Sequence, residues 1–215
     1  IDEYKMLNFP VFARGPIQTS VRNRCGYAGR GMDVTIGGAK VRDGDLIIGD
    51  ENGLLVVPKE AIDAAVGYLR RSYVSGRDAQ GRPTNLASAF GYVPGQPPQF
   101  AMAAAGLLAM QVGGLHDAPE VAGATAWLRE VPPTWETGWF FYGTYYYAQA
   151  MHKRGGDVAR EARERVETVL LAHQEPDGSW GGADNSENGQ GKVYCTSMAL
   201  LSLSVRHHFL PIYQD

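Results

Sequence analysis

Residues 174–182 read Gln174-Glu175-Pro176-Asp177-Gly178-Ser179-Trp180-Gly181-Gly182 and separate two stretches that have helical patterns. The Pro-Asp-Gly run is typical of a tight turn, because Pro presets one backbone angle and Gly accepts a positive φ. An amphipathic segment, 158–173, precedes this turn, and an apolar segment, 193–205, follows it. The pattern therefore predicts two helices joined by a turn whose single large side chain is Trp180.

The same arrangement occurs at two earlier points in the chain. Phe90 precedes the apolar segment 100–112, and Trp139 precedes an aromatic segment that ends at His152. These aromatic residues and Trp180 recur at a spacing of roughly 45 residues, which suits one helical hairpin per repeat. The sequence is therefore interpreted as a helical repeat.

Charged segments alternate with the apolar ones in this region. Residues 114–130 and 157–167 carry the charges, whereas 100–112 and 193–205 are made of small and apolar residues. We expect the apolar helices to form an inner layer that the charged helices cover.

Composition and charge exclude several protein classes. The chain has 215 residues, of which 44% are hydrophobic, enough for one or two hydrophobic cores. A net charge of −3 argues against a nucleic-acid partner. No apolar run approaches the roughly 20 residues that a membrane span requires. The two cysteines, Cys25 and Cys195, and the lack of a signal-peptide pattern predict a cytoplasmic protein.

The first third of the chain shows short apolar runs separated by turn signals. The predicted strands are 9–15, 33–36, 39–41, 45–48 and 54–57. Strands this short and closely spaced predict a compact β-rich piece, in which Asp45, Asp50 and Glu51 are turn residues. A helix over 59–73 follows, and its predicted apolar stripe consists of Ile62, Ala65, Val66 and Leu69.

This β-rich piece carries an ordered series of short motifs. The series runs Gly37-Gly38, a strand, Gly44-Asp45, a strand, Asp50-Glu51-Asn52-Gly53, a strand and Pro58, and it follows the run Phe9-Pro10-Val11-Phe12-Ala13-Arg14-Gly15. Over roughly residues 1–66 the chain resembles the last part of the family of 4-hydroxy-4-methyl-2-oxoglutarate aldolases and regulators of ribonuclease activity A. The resemblance implies a Mg²⁺-dependent lyase that acts on small oxo-acids.

The resemblance also implies where the lyase site lies. In that family an Arg-Asp pair and a Gly-rich loop hold the substrate and Mg²⁺, and both precede the segment that matches Phe9. The chain opens at Ile1 with residues typical of the middle of a domain. We therefore expect lyase activity to require an upstream part, and we do not assign the role of the Arg-Asp pair to Asp2 or Glu3.

The helical region carries a second set of family motifs. Four residues fit a Gln…Gly-x-Trp repeat, namely Gln174, Asp177, Gly178 and Trp180. The segment 194–203 fits the helix that follows this repeat motif. Residues 68–215 thereby resemble the α/α-toroid repeats of squalene–hopene cyclases, protein prenyltransferase β-subunits and bacterial prenyltransferase/squalene-oxidase-repeat proteins. About six helices are predicted, roughly half of a closed toroid, so the resemblance implies an incomplete one.

The catalytic motifs of these enzymes have no match in the chain. Cyclases use an acid in an Asp-x-Asp-Asp motif, which the sequence lacks. Prenyltransferases bind Zn²⁺ partly through a Tyr-His-Thr segment, and Tyr194-Cys195-Thr196 stands at that position. No convincing counterparts of the Asp and Cys ligands are found, so zinc is not expected, and Cys195 is interpreted as a small core residue.

Two groups of side chains are candidate functional residues. The aromatic group suits the wall of an isoprenoid-binding cavity, with ordinary core packing as the alternative, and comprises Trp139, Phe140, Tyr142, Tyr145 and Tyr146. The polar group lies close to the Trp180 turn, with helix capping as the alternative to catalysis, and comprises Asp184, Glu187, Tyr194 and Cys195. No residue is assigned as catalytic, and no metal site is predicted.

The sequence therefore predicts an α+β chain in three parts. A partial β-rich piece of the swivelling β/β/α type covers 1–66, a shared helix and Pro/Gly-rich linker cover 67–98, and α/α-toroid-like repeats cover 99–215. The first functional hypothesis is a toroid-like protein, with or without homo-oligomerisation, that binds an apolar, isoprenoid-like molecule or a protein partner without cyclase chemistry. The alternative is the Mg²⁺-dependent lyase.

Overall fold

The computed structural model of the chain describes residues 30–50, 53–85, 87–182 and 185–207. The strands are β1 (Val34–Ile36), β2 (Ala39–Val41), β3 (Leu46–Asp50) and β4 (Gly53–Val57). The helices are α1 (Lys59–Ser72), α2 (Phe100–Val112), α3 (Pro119–Glu130), α4 (Phe140–Arg154), α5 (Gly156–Ala172), α6 (Asn185–Asn188) and α7 (Gly191–Ser204), followed by a 3₁₀ turn, Val205–His207. The predicted α+β class is confirmed. The strand predicted over 9–15 lies outside the described residues.

The chain divides into two units, residues 1–58 and 59–215. In the first unit, β1 pairs with β2 and β3 pairs with β4, both antiparallel. The two Gly residues between β1 and β2 have positive φ angles of 59° and 86°, which permits a tight hairpin. The hairpins predicted from the turn signals are therefore present.

Many apolar side chains of these hairpins are exposed. Each of the strands β1, β3 and β4 carries exposed apolar residues. These are Val34, Ile36, Leu46, Ile48, Leu54 and Leu55. A two-stranded hairpin has no second layer of its own on which to bury such residues. The strands thus form two separate two-stranded sheets in the described part.

In the second unit, α2 and α4 pack side by side and run parallel. A Cβ atom on Gly143, in the first turn of α4, would lie 2.7 Å from the ring of Phe100 and 3.2 Å from the Cα of Ala101 at the start of α2. At the other end, Gln111 Nε2 donates a 3.1 Å hydrogen bond to the Ala150 carbonyl oxygen. The N-terminal ends of the two helices therefore lie together, and so do their C-terminal ends. Gly143 permits their close approach because it has no side chain.

Helix α7 continues this row on the other side of α4. Tyr194 at the start of α7 lies near Tyr142 and Tyr146 at the start of α4. Ser202 and Leu203 at its end line the same cleft as residues at the end of α4. Helices α2, α4 and α7 thus form one parallel row, and α3 and α5 pack against it from outside. The predicted division into inner and outer layers stays a prediction, since α7 has only three buried residues, Cys195, Ala199 and Ser202.

The Phe90 segment also belongs to the packed helical unit. Phe90 is 1% exposed, its ring packs edge-to-face on Tyr73, and it lies against Gly106 of α2. The apolar stripe of α1 is weaker than predicted, because Ala65 is exposed and the other three members are only half-buried. No helix in the described ranges is long and apolar enough to cross a membrane. The proposed domain bounds at 66 and 98 remain predictions.

Candidate functional site

Trp180 joins the end of α5 to α7. Its side chain is 1% exposed, and its indole Nε1 donates a 2.8 Å hydrogen bond to the Leu170 carbonyl oxygen. Its backbone N–H donates a 3.1 Å hydrogen bond to Thr196 Oγ1 on α7. The buried ring thus has its one polar atom satisfied, and both contacts position α7 relative to α5.

The turn before Trp180 is held by its own side chains. Asp177 Oδ1 accepts hydrogen bonds from the Ser179 hydroxyl at 2.6 Å and from the Ser179 N–H at 3.0 Å. These bonds lower the pKa of Asp177 to about 2, so its carboxylate stays charged at ordinary pH. Gln174 Nε2 donates to the carbonyl oxygen of Gly178, which has a φ of 84°. The four residues of the repeat motif therefore act as turn and packing residues.

Glu187 caps the N-terminus of α4. Its side chain is fully buried, Oε2 accepts a 3.0 Å hydrogen bond from the Phe141 N–H, and Oε1 accepts a 3.0 Å bond from the Tyr142 N–H. The residue that precedes the helix, Trp139, provides no side-chain cap and has a φ of 54°. A carboxylate from a distant segment thus satisfies two unpaired N–H groups at the positive end of the helix dipole.

Four tyrosines lie beside this cap, and we call them the tyrosine cluster: Tyr142, Tyr145 and Tyr146 of α4 with Tyr194 of α7. The ring of Tyr146 lies 4.9 Å from that of Tyr142 and 5.2 Å from that of Tyr145. Burial, followed by its tyrosine neighbours, raises the pKa of Tyr146 to about 12. Burial and then the charge of Glu187 raise the pKa of Tyr194. Tyr146 and Tyr194 therefore offer neutral phenol groups at ordinary pH.

Cys195 is buried directly beside the cluster. It is 0% exposed, and burial followed by the charge of Glu187 raises the pKa of its thiol. Because the thiolate is the form that attacks electrophiles and binds metals, this environment disfavours both roles. Within the described ranges no three His, Cys, Asp or Glu side chains are grouped so that they could hold a metal ion.

The structure brings together most members of the two predicted groups, whereas Phe140 and Trp139 lie in different surroundings. Glu187, Tyr194 and Cys195 meet the tyrosines of α4. Phe140 is fully buried, with its ring 5.1 Å from that of Trp135, whereas Trp139 is 47% exposed. A helix directs successive side chains to different sides, so neighbours in sequence diverge. Asp184 lies outside the described residues.

Two clefts in the helical unit involve other residues. One has a volume of about 300 Å³ and lies between α4, α5, α7 and the 3₁₀ turn, and the other, of about 190 Å³, lies beside Tyr147. Neither is lined by a predicted site residue. The sequence analysis did not predict the first cleft. The signal that could have indicated it is the spacing of Arg160 and Arg163, which stand three positions apart on α5 and so share a face of that helix.

The acidic residues of the hairpin unit have structural contacts. Asp33 forms a 2.7 Å ion pair with Lys40 across β1 and β2, with both side chains exposed. Asp45 Oδ2 accepts a 2.8 Å hydrogen bond from the Arg42 N–H in the preceding turn. Among the described residues of this unit, no three His, Cys, Asp or Glu side chains are grouped so that they could hold a metal ion. The predicted turn residue Glu51 lies outside the described residues.

Comparison with known proteins finds a family to which the first unit is similar. The family described as RraA-like, Aldolase/RraA, matches residues 1–56. A putative 4-hydroxy-4-methyl-2-oxoglutarate aldolase of Halalkalibacterium halodurans is 40% identical over 55 residues, which are 26% of this chain and 26% of that protein. Protein DlpA of Legionella pneumophila is 32% identical over 66 residues, which are 31% of this chain and 11% of that protein.

These comparisons cover only a part of each protein. The chain spans about a quarter of the length of the putative aldolase and about a tenth of that of Protein DlpA. The family match ends at residue 56, before the helical unit begins. No solved structure gives a significant match to the chain. The resemblance to the aldolase family is therefore supported for the first unit, and the resemblance to toroid repeats receives no support.

Proposed function

We propose that residues 1–56 contribute to a lyase that cleaves or decarboxylates small oxo-acids. The family match over these residues carries the proposal. It is supported by the relative named as a putative 4-hydroxy-4-methyl-2-oxoglutarate aldolase, which is 40% identical over 55 residues. The lyase alternative thus replaces isoprenoid binding as the leading hypothesis for the chain.

The exposed hairpins are consistent with a role in a larger folded unit. Apolar residues such as Val34, Ile48 and Leu55 are 46%, 52% and 59% exposed. Burying such side chains stabilises a fold by about 25 cal/mol per Å² of apolar surface, which favours their covering by further structure. The proposal places the catalytic groups and any Mg²⁺ ligands outside the described residues.

We expect the natural protein that contains this chain to release pyruvate from oxaloacetate in the presence of Mg²⁺. Lactate dehydrogenase and NADH report the pyruvate as it forms. Because oxaloacetate also decarboxylates without enzyme, the control contains Mg²⁺ and substrate but no protein. A rate that exceeds this background and disappears with EDTA supports the lyase. The compound 4-hydroxy-4-methyl-2-oxoglutarate is tested as a second substrate in the same assay. Pyruvate release at the background rate would contradict the lyase proposal.

We also propose that the helical unit binds an apolar ligand or partner at Trp139 and the tyrosine cluster. The specific observation is the parallel row of α2, α4 and α7, against which α3 and α5 pack, an arrangement compatible with α/α repeats. Trp139 is 47% exposed and has a positive φ, and strained residues of this kind cluster at functional sites.

Replacing Trp139 and Tyr145 together with Ala should weaken binding of farnesol by at least tenfold. Both side chains offer aromatic surface outside the fully buried core, so the thermal midpoint should fall by only a few degrees. Binding is measured by calorimetry and unfolding by circular dichroism. Val193→Ala on α7, which is 83% exposed, is the control. If the unsubstituted protein does not bind farnesol, the apolar-ligand form of this proposal is rejected.

A further inference from the structure

The larger cleft of the helical unit combines an apolar floor with a basic rim. Its lining includes three arginines, one carboxylate and several apolar side chains, among them Arg160, Arg163, Arg206, Glu167, Ala159 and Val166. Val166 and Val205 are 2% and 4% exposed and belong to the floor. The side chains of the three arginines are about half exposed and form the rim.

The charges of the lining favour an anion. Arg160, Arg163 and Arg206 face a single lining carboxylate, Glu167, so the charged residues of the cleft carry an excess of positive charge. Glu167 lies 4.0 Å from Arg163 Nε and 3.8 Å from Arg206 Nη1, too far for strong hydrogen bonds. Each guanidinium has five N–H donors, so these ion pairs leave donors that can bind a ligand.

Arg160 also forms ion pairs with two acidic residues of α5. Arg160 Nη2 donates a 2.7 Å hydrogen bond to Asp157, and its Nη1 lies 3.6 Å from Glu164. Neither acid lines the cleft, and their side chains are 78% and 57% exposed. Exposed pairs of this kind contribute at most about 1 kcal/mol, so a ligand carboxylate can compete with them.

We propose that this cleft binds a small organic carboxylate with an apolar tail. The arginine forks match the planar geometry of a carboxylate, and Ala159, Val166 and Leu203 offer the apolar surface for the tail. A volume of about 300 Å³ lies at the small end of the range of ligand pockets, roughly 300–1,000 Å³, which suits a short chain. The site is separate from the proposed lyase and from the tyrosine cluster.

The test is calorimetric titration of the full chain with octanoate. We expect saturable binding of one octanoate per chain. Two probes separate the parts of the ligand: 1-octanol lacks the charge, and acetate lacks the tail. Each should bind at least tenfold more weakly than octanoate, equivalent to about 1.4 kcal/mol. Octanol that binds as tightly as octanoate would show an apolar groove alone and overturn the proposal, as would an absence of octanoate binding.

Two substitutions locate the bound octanoate. Arg163→Gln removes one rim charge and should weaken binding at least tenfold, whereas Arg71→Gln, the same change on α1 away from the cleft, should leave binding unchanged. Ala159→Leu fills the floor and should weaken octanoate binding while all three arginines remain. Circular dichroism confirms that each variant is folded at the titration temperature. Octanoate affinity that is unchanged in both cleft variants would place the ligand elsewhere and reject the site.

Discussion

Replacement of Trp180 with Ala is expected to lower the free energy of unfolding by about 3–5 kcal/mol, the range for truncating a large buried aromatic side chain. The indole is 1% exposed, so its removal leaves a cavity between α5 and α7. The substitution also deprives the Leu170 carbonyl oxygen of its 2.8 Å hydrogen bond from the indole. The measurement is urea denaturation followed by far-ultraviolet circular dichroism, which reports helix content without depending on tryptophan emission.

Trp139 provides a matched control for this prediction. It is also a tryptophan close to a helix end, but it is 47% exposed. Trp139→Ala should therefore cost less than about 1.5 kcal/mol, because much less apolar surface is withdrawn from the protein interior. Equal losses for the two variants would contradict the assignment of Trp180 as the residue that holds α5 and α7 together.

Replacement of Glu187 with Ala is expected to lower the free energy of unfolding by about 2–4 kcal/mol. The carboxylate accepts one hydrogen bond from each of two N–H groups at the start of α4, and hydrogen bonds to charged groups contribute about 1.5–3 kcal/mol each. Their loss is partly offset because a buried charge is also removed. Urea denaturation gives the total, and amide exchange of Phe141 and Tyr142 gives the local effect.

Two further variants define the contribution of the cap. Glu187→Gln keeps the shape of the side chain but has only one acceptor oxygen. Its free energy of unfolding should therefore lie between that of the parent protein and that of the Ala variant. Glu164→Ala removes a carboxylate that is 57% exposed and should change stability by less than about 1 kcal/mol. Unchanged exchange of the Phe141 amide in Glu187→Ala would contradict the capping role.

The proposed carboxylate cleft and the proposed lyase are tested independently. Octanoate binding depends on α5, α7 and the 3₁₀ turn, whereas pyruvate release depends on a unit to which residues 1–56 contribute. A protein that fails one assay and passes the other therefore loses only one of the two assignments. The farnesol experiment is equally separate, since Trp139 and Tyr145 do not line the cleft.

Most of the helical architecture could be predicted because it depends on local patterns. The segment 100–112 is apolar on every side, and the structure places it as an inner helix with nine buried residues. The segment 158–173 has charges on one face only, and the structure places it as an outer helix. Turn dipeptides likewise predicted the hairpins β1–β2 and β3–β4. Each of these signals depends on neighbours within a few residues.

The candidate site could be predicted only in part. Aromatic residues at helical spacing drew attention to α4, but the sequence could not show that Phe140 points into the core while Trp139 is half exposed. The packing of the hairpins could not be predicted either, because alternation of apolar and polar residues predicts a strand but not what covers it. The cleft lined by three arginines could not be predicted, because Arg206 lies near Arg160 and Arg163 only when α7 packs beside α5.

The sequence by itself determined the α+β class, the order of the elements, and the turn that ends in Trp180, because backbone preferences and the period of apolar residues act over a few residues. The tertiary structure alone decided that Glu187 caps a helix whose first N–H groups lie 46 and 45 residues away. It also decided that Trp180 hydrogen-bonds to Leu170 and that three arginines share one cleft. These contacts join segments far apart in the chain, and only the packing of whole helices brings them within a few ångströms.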